Sequence, residues 1–260
     1  GAPTQQIGCS LLTLPTIDGK LTPELIEPLL VRKGNVHATQ PKVISISQST
    51  ELGTVYSIAE LKALCEFAHK NDMYVHMDGA RISNAVAALG VSMKEATVDC
   101  GVDIMSFGGT KNGIMIGEAV LIFNENLKEN AAYFQKQTAQ LFSKNRFIAA
   151  QFIALLSNNL WHDMATHSNR MAQLLAKEVS KIPGVKISAI SDIINFVYIK
   201  TAEKVAYQQV YEAATRYQTI KKKTFADCFE LCVAMGEYAK VFLKNDLGRG
   251  MIKFNTDYCI

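Results

Sequence analysis

The sequence predicts an α/β fold with a mainly parallel sheet, followed by a smaller α+β part. Three observations carry this. Strand-like and helix-like segments alternate through the first half of the 260 residues. The segments between strands include helices of ten or more residues, long enough for parallel crossovers. Polar, chemistry-bearing residues follow the carboxyl ends of two strands, where ligands gather in open α/β sheets.

Each element has a local cause. Thr22-Pro23-Glu24 reads as a helix start, with Thr22 as cap and Pro23 in the first turn. Val43 to Ser47 is a short β-branched run and reads as a buried strand. Ser57-Ile-Ala-Glu60 is a capping box, and Ile58, Leu61, Leu64, Cys65 and Ala68 follow at helical spacing to about Asn71. Met73 to Met77 is an apolar strand between Asp72 and Asp78. Ile82 to Leu89 is helical, and Val102 to Phe107 and Ala119 to Phe123 read as strands. From about Glu125 to Ile182 the pattern turns helical, and Pro183-Gly184 ends it. Ile193 to Ile199 reads as a strand and Lys204 to Arg216 as a helix. The large domain is expected over residues 1–160 and the smaller one over 161–260, with a soft boundary near Asn158–Trp161.

Composition excludes several classes. Hydrophobic residues make up 48% and charged residues 20%, a globular balance rather than a disordered or low-complexity one. A net charge of +3 gives no argument for nucleic acid or an anionic membrane. No apolar run approaches the ~18 residues of a membrane span, and Gly1 to Leu14 lacks the pattern of a signal peptide. The six cysteines are scattered and read as reduced thiols of a cytoplasmic protein, with no metal site among them. Lys221-Lys222-Lys223 reads as a solvated loop.

Two segments can carry chemistry. Asp78-Gly79-Ala80-Arg81 follows one strand, and Ser106-Phe107-Gly108-Gly109-Thr110-Lys111-Asn112-Gly113 follows the next. Taken singly, the first suits a helix cap and the second a flexible turn with a surface lysine. The second is not a P-loop, because neither Ser nor Thr follows the lysine. Together they place a carboxylate and an amine at neighbouring strand ends. A pyridine aldehyde cofactor uses both: the amine to form an imine, the carboxylate to keep the ring nitrogen protonated. Gly108 and Gly109 let the backbone come close.

These segments, with Ser47-Gln-Ser-Thr-Glu-Leu-Gly-Thr-Val-Tyr56, His76-Met-Asp-Gly-Ala-Arg-Ile-Ser-Asn-Ala85 and Gln140-Leu-Phe-Ser-Lys-Asn-Arg-Phe147, resemble the low-specificity L-threonine aldolases. That group lies within the aromatic amino acid beta-eliminating lyases. The resemblance runs from Gly1 to about Gly184. It implies the aspartate aminotransferase-like fold (fold type I), pyridoxal phosphate as cofactor, and cleavage of threonine-like β-hydroxy-α-amino acids to glycine and an aldehyde. It also implies a homodimer or homotetramer, and a chain incomplete at its N-terminus.

By the same resemblance, Lys111 holds the cofactor as an internal aldimine and Asp78 pairs with the pyridinium nitrogen. Thr110 and Gly109 contact the cofactor. Arg81 takes the substrate carboxylate through its planar fork. Lys253 stands where the family places a second carboxylate-binding arginine. The catalytic base is left between His37, Glu51 and a water or the cofactor phosphate. His76 shares a strand face with Asp78 and reads as a packed histidine, with a catalytic role as the alternative. The other functions the sequence allows are a different lyase of the same group and a non-catalytic interaction module.

Overall fold

The computed structural model describes residues 1–181 and three further strands, Val185–Ile187, Phe196–Thr201 and Met251–Asn255. The expected helix at Lys204–Arg216 and the lysine run at Lys221–Lys223 lie outside the described residues.

In chain order, α1 (Ala2–Ile7) is a short exposed helix and α2 (Pro23–Ile26) a single turn. Proline opens α2 as expected, and Thr22 sits at its cap position in extended backbone. The Thr22 hydroxyl, however, bonds the Glu24 carboxylate instead of a backbone N–H. β1 (Val43–Ser47) leads to α3 (Ile58–Lys70), whose Ser57–Glu60 capping box is formed in both directions. β2 (Tyr74–Gly79) follows and takes in Asp78 and Gly79 as strand residues, two steps further than the apolar run suggests. Then come α4 (Ile82–Leu89), β3 (Ile104–Gly108) and β4 (Glu118–Ile122). Three helices follow: α5 (Ala131–Gln137), α6 (Arg146–Leu156) and α7 (Leu160–Val179). Asn158 and Asn159, both at positive φ, break the chain between α6 and α7.

β1 through β4 form one sheet in sequence order. β1, β2 and β3 are parallel, joined by α3 and α4. β4 runs antiparallel to β3, since the turn between them is too short for a crossover helix. The strands at Val185–Ile187 (β5), Phe196–Thr201 (β6) and Met251–Asn255 (β7) form a second, antiparallel sheet.

Alternation along the parallel strands divides the first sheet into two faces. Ile44, Ile46, Val75, Met77, Met105 and Phe107 point into a core shared with Leu61, Leu64, Ala68, Ile82 and Val86 of α3 and α4. The opposite face carries Ser45, His76, Asp78 and Ser106. α7 packs on α4, and two buried amides join them: Asn84 Nδ2 donates to Asn169 Oδ1 at 3.0 Å, and Asn169 Nδ2 donates to the Asn84 carbonyl at 2.9 Å. No helix among the described residues is long and apolar enough to cross a membrane.

The amino ends of the strands are pinned by one buried carboxylate. Asp103 accepts from the Val75 N–H at 2.7 Å and the Asn124 amide at 2.6 Å, and lies 3.0 Å from His69 Nε2. Three elements therefore lose an acceptor together in Asp103→Ala. The expected cost is about 3 kcal/mol, because buried donors are left unpaired. A urea titration of the full chain checks this, with a clear fall in midpoint expected against a surface control such as Glu129→Ala.

Candidate functional site

The parallel register aligns Ser47 with Asp78, and Asp78 with Ser106. This places the ends of β1, β2 and β3 side by side. Asp78 emerges exposed at the end of β2, and its Oδ1 accepts from the Ala80 N–H at 2.9 Å, closing an Asx turn into α4. Arg81 occupies the cap position of α4.

Lys111 follows β3 in a short 3-10 turn, Thr110–Asn112. The turn is held on all sides. Gly108 passes so close to Ala80 that a Cβ there would lie 2.3 Å from the Ala80 carbonyl oxygen, so no other residue fits without a shift. Asn112 Nδ2 donates to Ser83 Oγ of α4 at 2.8 Å. Gly113, at φ 103°, lies against Met164 of α7. On the β4 side, Glu118 accepts from the Gly109 N–H at 2.9 Å, from the Thr110 N–H at 3.3 Å and from the Thr110 hydroxyl. The lysine itself is half-buried, and no described residue forms a hydrogen bond or ion pair with it.

The segment after β1 turns back over the same edge. The Gln48 N–H donates to the Asp78 carbonyl at 2.9 Å, while its buried side-chain amide exchanges two bonds with the Tyr56 backbone. Between them the chain makes a tight turn, with the Thr50 N–H on the Thr54 carbonyl at 2.9 Å. The Thr54 hydroxyl donates to the Asp18 carbonyl, so the Thr50 hydroxyl is the donor in the 2.6 Å Thr50–Thr54 contact. Glu51 projects from this turn, and its Oε1 lies 3.6 Å from Arg81 Nη1. The guanidinium side chain is only 6% exposed, while Glu51 is 68% exposed.

The structure therefore brings Asp78, Arg81, Glu51, Gly109, Thr110 and Lys111 to the carboxyl ends of the strands. His37 is elsewhere. It is exposed in the loop before β1, where Lys33 Nζ bonds the Asn71 carbonyl and Asp72 ahead of β2, at the strands' amino ends. Lys253 lies in β7, opposite Tyr198 of β6. Gly109 and Thr110, expected to contact a cofactor, turn their N–H groups and the Thr110 hydroxyl to Glu118. Sequence reasoning missed Glu118. A signal was available: it is the one acidic residue between the lysine turn and the start of β4, and it stands opposite Gly108.

His76 lies beneath Asp78 on the same strand face, and its Nδ1 is 2.9 Å from Ser45 Oγ. Burial lowers its pKa from the ordinary 6.5, opposed by the charge of Asp78. Among the described residues no cluster of three metal-binding side chains occurs. Cys65 and Cys100 are buried free thiols, and burial pushes Cys65 up to about 12. Neither suits a nucleophile.

An open, mainly parallel α/β sheet with an amine and a carboxylate at adjacent strand ends is an arrangement compatible with the class of enzymes that hold a cofactor on a lysine. Comparison with known proteins narrows it. The chain belongs to the beta-eliminating lyase family, whose family model matches residues 1–202. It is 45% identical to the low specificity L-threonine aldolase of Pseudomonas aeruginosa over 180 residues, 69% of this chain and 52% of that protein. The Saccharomyces cerevisiae low specificity L-threonine aldolase is 30% identical over 167 residues, 64% of this chain and 41% of that protein. The chain thus spans about half the length of the curated relatives it matches. Among solved structures, the Leishmania major threonine aldolase superposes with a TM-score of 0.72 at 31% identity, covering 79% of this chain and 59% of that one. A putative L-allo-threonine aldolase from Listeria monocytogenes shares the fold, with a TM-score of 0.59 at 20% identity and coverage of 81% and 55%. The fold is the aspartate aminotransferase-like fold, type I of the pyridoxal phosphate enzymes.

The neutral state of His76 has a pH consequence. Its native pKa is below the unfolded value, so the unfolded chain binds the extra proton first. The stability tied to this group is present above the unfolded value of 6.5 and is lost as pH falls through the native one. Melting temperatures taken from about pH 6.5 down to about pH 5 are expected to fall less steeply in His76→Gln than in the parent.

Proposed function

We propose that the protein is a pyridoxal phosphate-dependent aldehyde-lyase that cleaves threonine-type β-hydroxy-α-amino acids to glycine and an aldehyde. The observation carrying this reading is the placement of Asp78 and Lys111 at the ends of adjacent strands, with Arg81 beside them. The donor set fits the cofactor: an exposed carboxylate, and a half-buried amine with no partner among the described residues. Its cradle is tight enough that Gly108 admits no Cβ.

When bound there, pyridoxal phosphate supplies an electron sink for the charge left at Cα as the Cα–Cβ bond breaks. The chain's residues do the rest. Lys111 Nζ is the covalent attachment point. The Asp78 carboxylate keeps a proton on the ring nitrogen. Arg81, held rigid by burial, takes the substrate carboxylate in its fork. That carboxylate takes the place of Glu51 on Arg81, and Glu51 takes the proton from the substrate β-hydroxyl. His37 has no part in this reading, because it lies at the other end of the strands. Lys253 is a second charge for the substrate carboxylate, a point donor without a fork.

The substrate is a small amino acid, with no nucleic acid or membrane partner. The assembly is a homodimer or homotetramer in the cytoplasm. Exposed apolar side chains support self-association: Met115 and Ile116 in the turn before β4, Val120 on β4, and Phe147 and Ile153 on α6. In this reading residues 161–260 are the smaller domain.

Two outcomes test the function. Pyridoxal phosphate added to the full chain is expected to give a visible absorption band that borohydride bleaches, with the label on Lys111 and none in Lys111→Ala. Absence of that adduct overturns the proposal. With threonine, glycine and acetaldehyde are expected, and Asp78→Asn is expected to slow their release roughly 100-fold or more, since the ring loses the charge that holds its proton. Turnover of aromatic amino acids instead of threonine would assign a different lyase of the same group.

A further inference from the structure

The geometry points to Glu118 as the residue that positions Lys111 for attack on the cofactor aldehyde, an inference that rests on the reading above. Three donors converge on this one carboxylate: the N–H groups of Gly109 and Thr110 and the Thr110 hydroxyl. All three belong to the two residues immediately before Lys111. Hydrogen bonds to an ionised acceptor are the strong, short kind, so they fix the backbone from which the lysine side chain departs. On the other side, Asn112 is tied to Ser83 of α4 at 2.8 Å. Lys111 is thus clamped at both neighbours, while its own ammonium has no partner among the described residues.

The fold delivers Glu118 to this point. Antiparallel pairing sets it opposite Gly108, the last residue of β3. Gly117, at φ 121°, lies against Ile148 of α6 and lets the chain enter β4 beside the turn. The carboxylate touches no reacting atom in this arrangement. It acts through the backbone of the lysine turn and is a positioning residue. Without it, the turn keeps its glycines but loses the acceptor that aligns them. A misplaced nucleophile of this kind costs about 10- to 100-fold in rate.

The test compares two reagents on the full chain. Pyridoxal phosphate followed by borohydride reads how well Lys111 is aimed, because its amine must reach one aldehyde carbon, with loss of water, before reduction. Acetic anhydride reads only whether the amine is accessible. Labelling at Lys111 is quantified by peptide mass spectrometry in the parent, Glu118→Ala and Glu118→Gln, with Glu125→Ala as a surface carboxylate control. The expected result is a fall of about 10- to 100-fold in reductive pyridoxyl labelling of Glu118→Ala. Glu118→Gln, which keeps one acceptor oxygen, is expected to fall less, and acetylation is expected within twofold of the parent in both. Equal losses with both reagents would mark lost access to the amine instead of lost aim, and would overturn the inference. Unchanged pyridoxyl labelling in both variants would overturn it while leaving the cofactor reading intact. If the parent itself shows no pyridoxyl label at Lys111, both fall together. Should Glu118→Ala fail to fold, Glu118→Gln carries the comparison.

Discussion

The register between β1, β2 and β3 is the constraint on which the candidate site depends. A strand has a side-chain period of two, so a slip of one residue would send Asp78 into the core and Met77 to the ligand side. Register is held from both ends. At the amino ends, Asp103 gathers Val75, His69 and Asn124. At the carboxyl ends, Gln48 takes the Asp78 carbonyl and bridges to Tyr56. Between them, apolar pairs such as Ile46 beside Met77, and Met77 beside Met105, leave only one arrangement that keeps the core dry.

On this frame the site divides into two parts with different support. Asp78 and Lys111 stand on the sheet itself, and their neighbours Ala80, Gly108, Ser83 and Asn112 are mutually packed or bonded. Glu51 stands on a turn closed by threonine hydroxyls and anchored to Asp18. Arg81 joins the two parts, because it caps α4 and meets Glu51 at the same time.

Much of the frame was legible in the sequence. β-branched runs gave β1 closely, the Ser57–Glu60 box gave the start of α3, and polar residues after strands gave the site edge. What was not legible has physical reasons. The apolar pattern ended β2 at Met77, because it cannot show that Asp78 still pairs with Ser47 and Ser106. Chain order puts His37 before β1 and Glu51 after it, but it cannot show that Glu51 meets Arg81, a contact made across the strand ends. Asn84 reads as an ordinary polar residue in a short helix, although it finds Asn169 across a buried contact. Glu118 escaped notice because its partners are backbone N–H groups, which leave no mark in side-chain spacing.

The Thr50–Thr54 turn has a consequence of its own. The bonds that close it come from backbone and threonine hydroxyls. The Glu51 carboxylate meets the buried Arg81 instead, 3.6 Å away. A change at residue 51 costs the site its contact with Arg81 but leaves the threonine bonds of the turn in place, while a change at Gly108, buried against Ala80, has no room for a Cβ. The same strand ends thus hold one position where a change alters the chemistry and one where it disturbs the backbone.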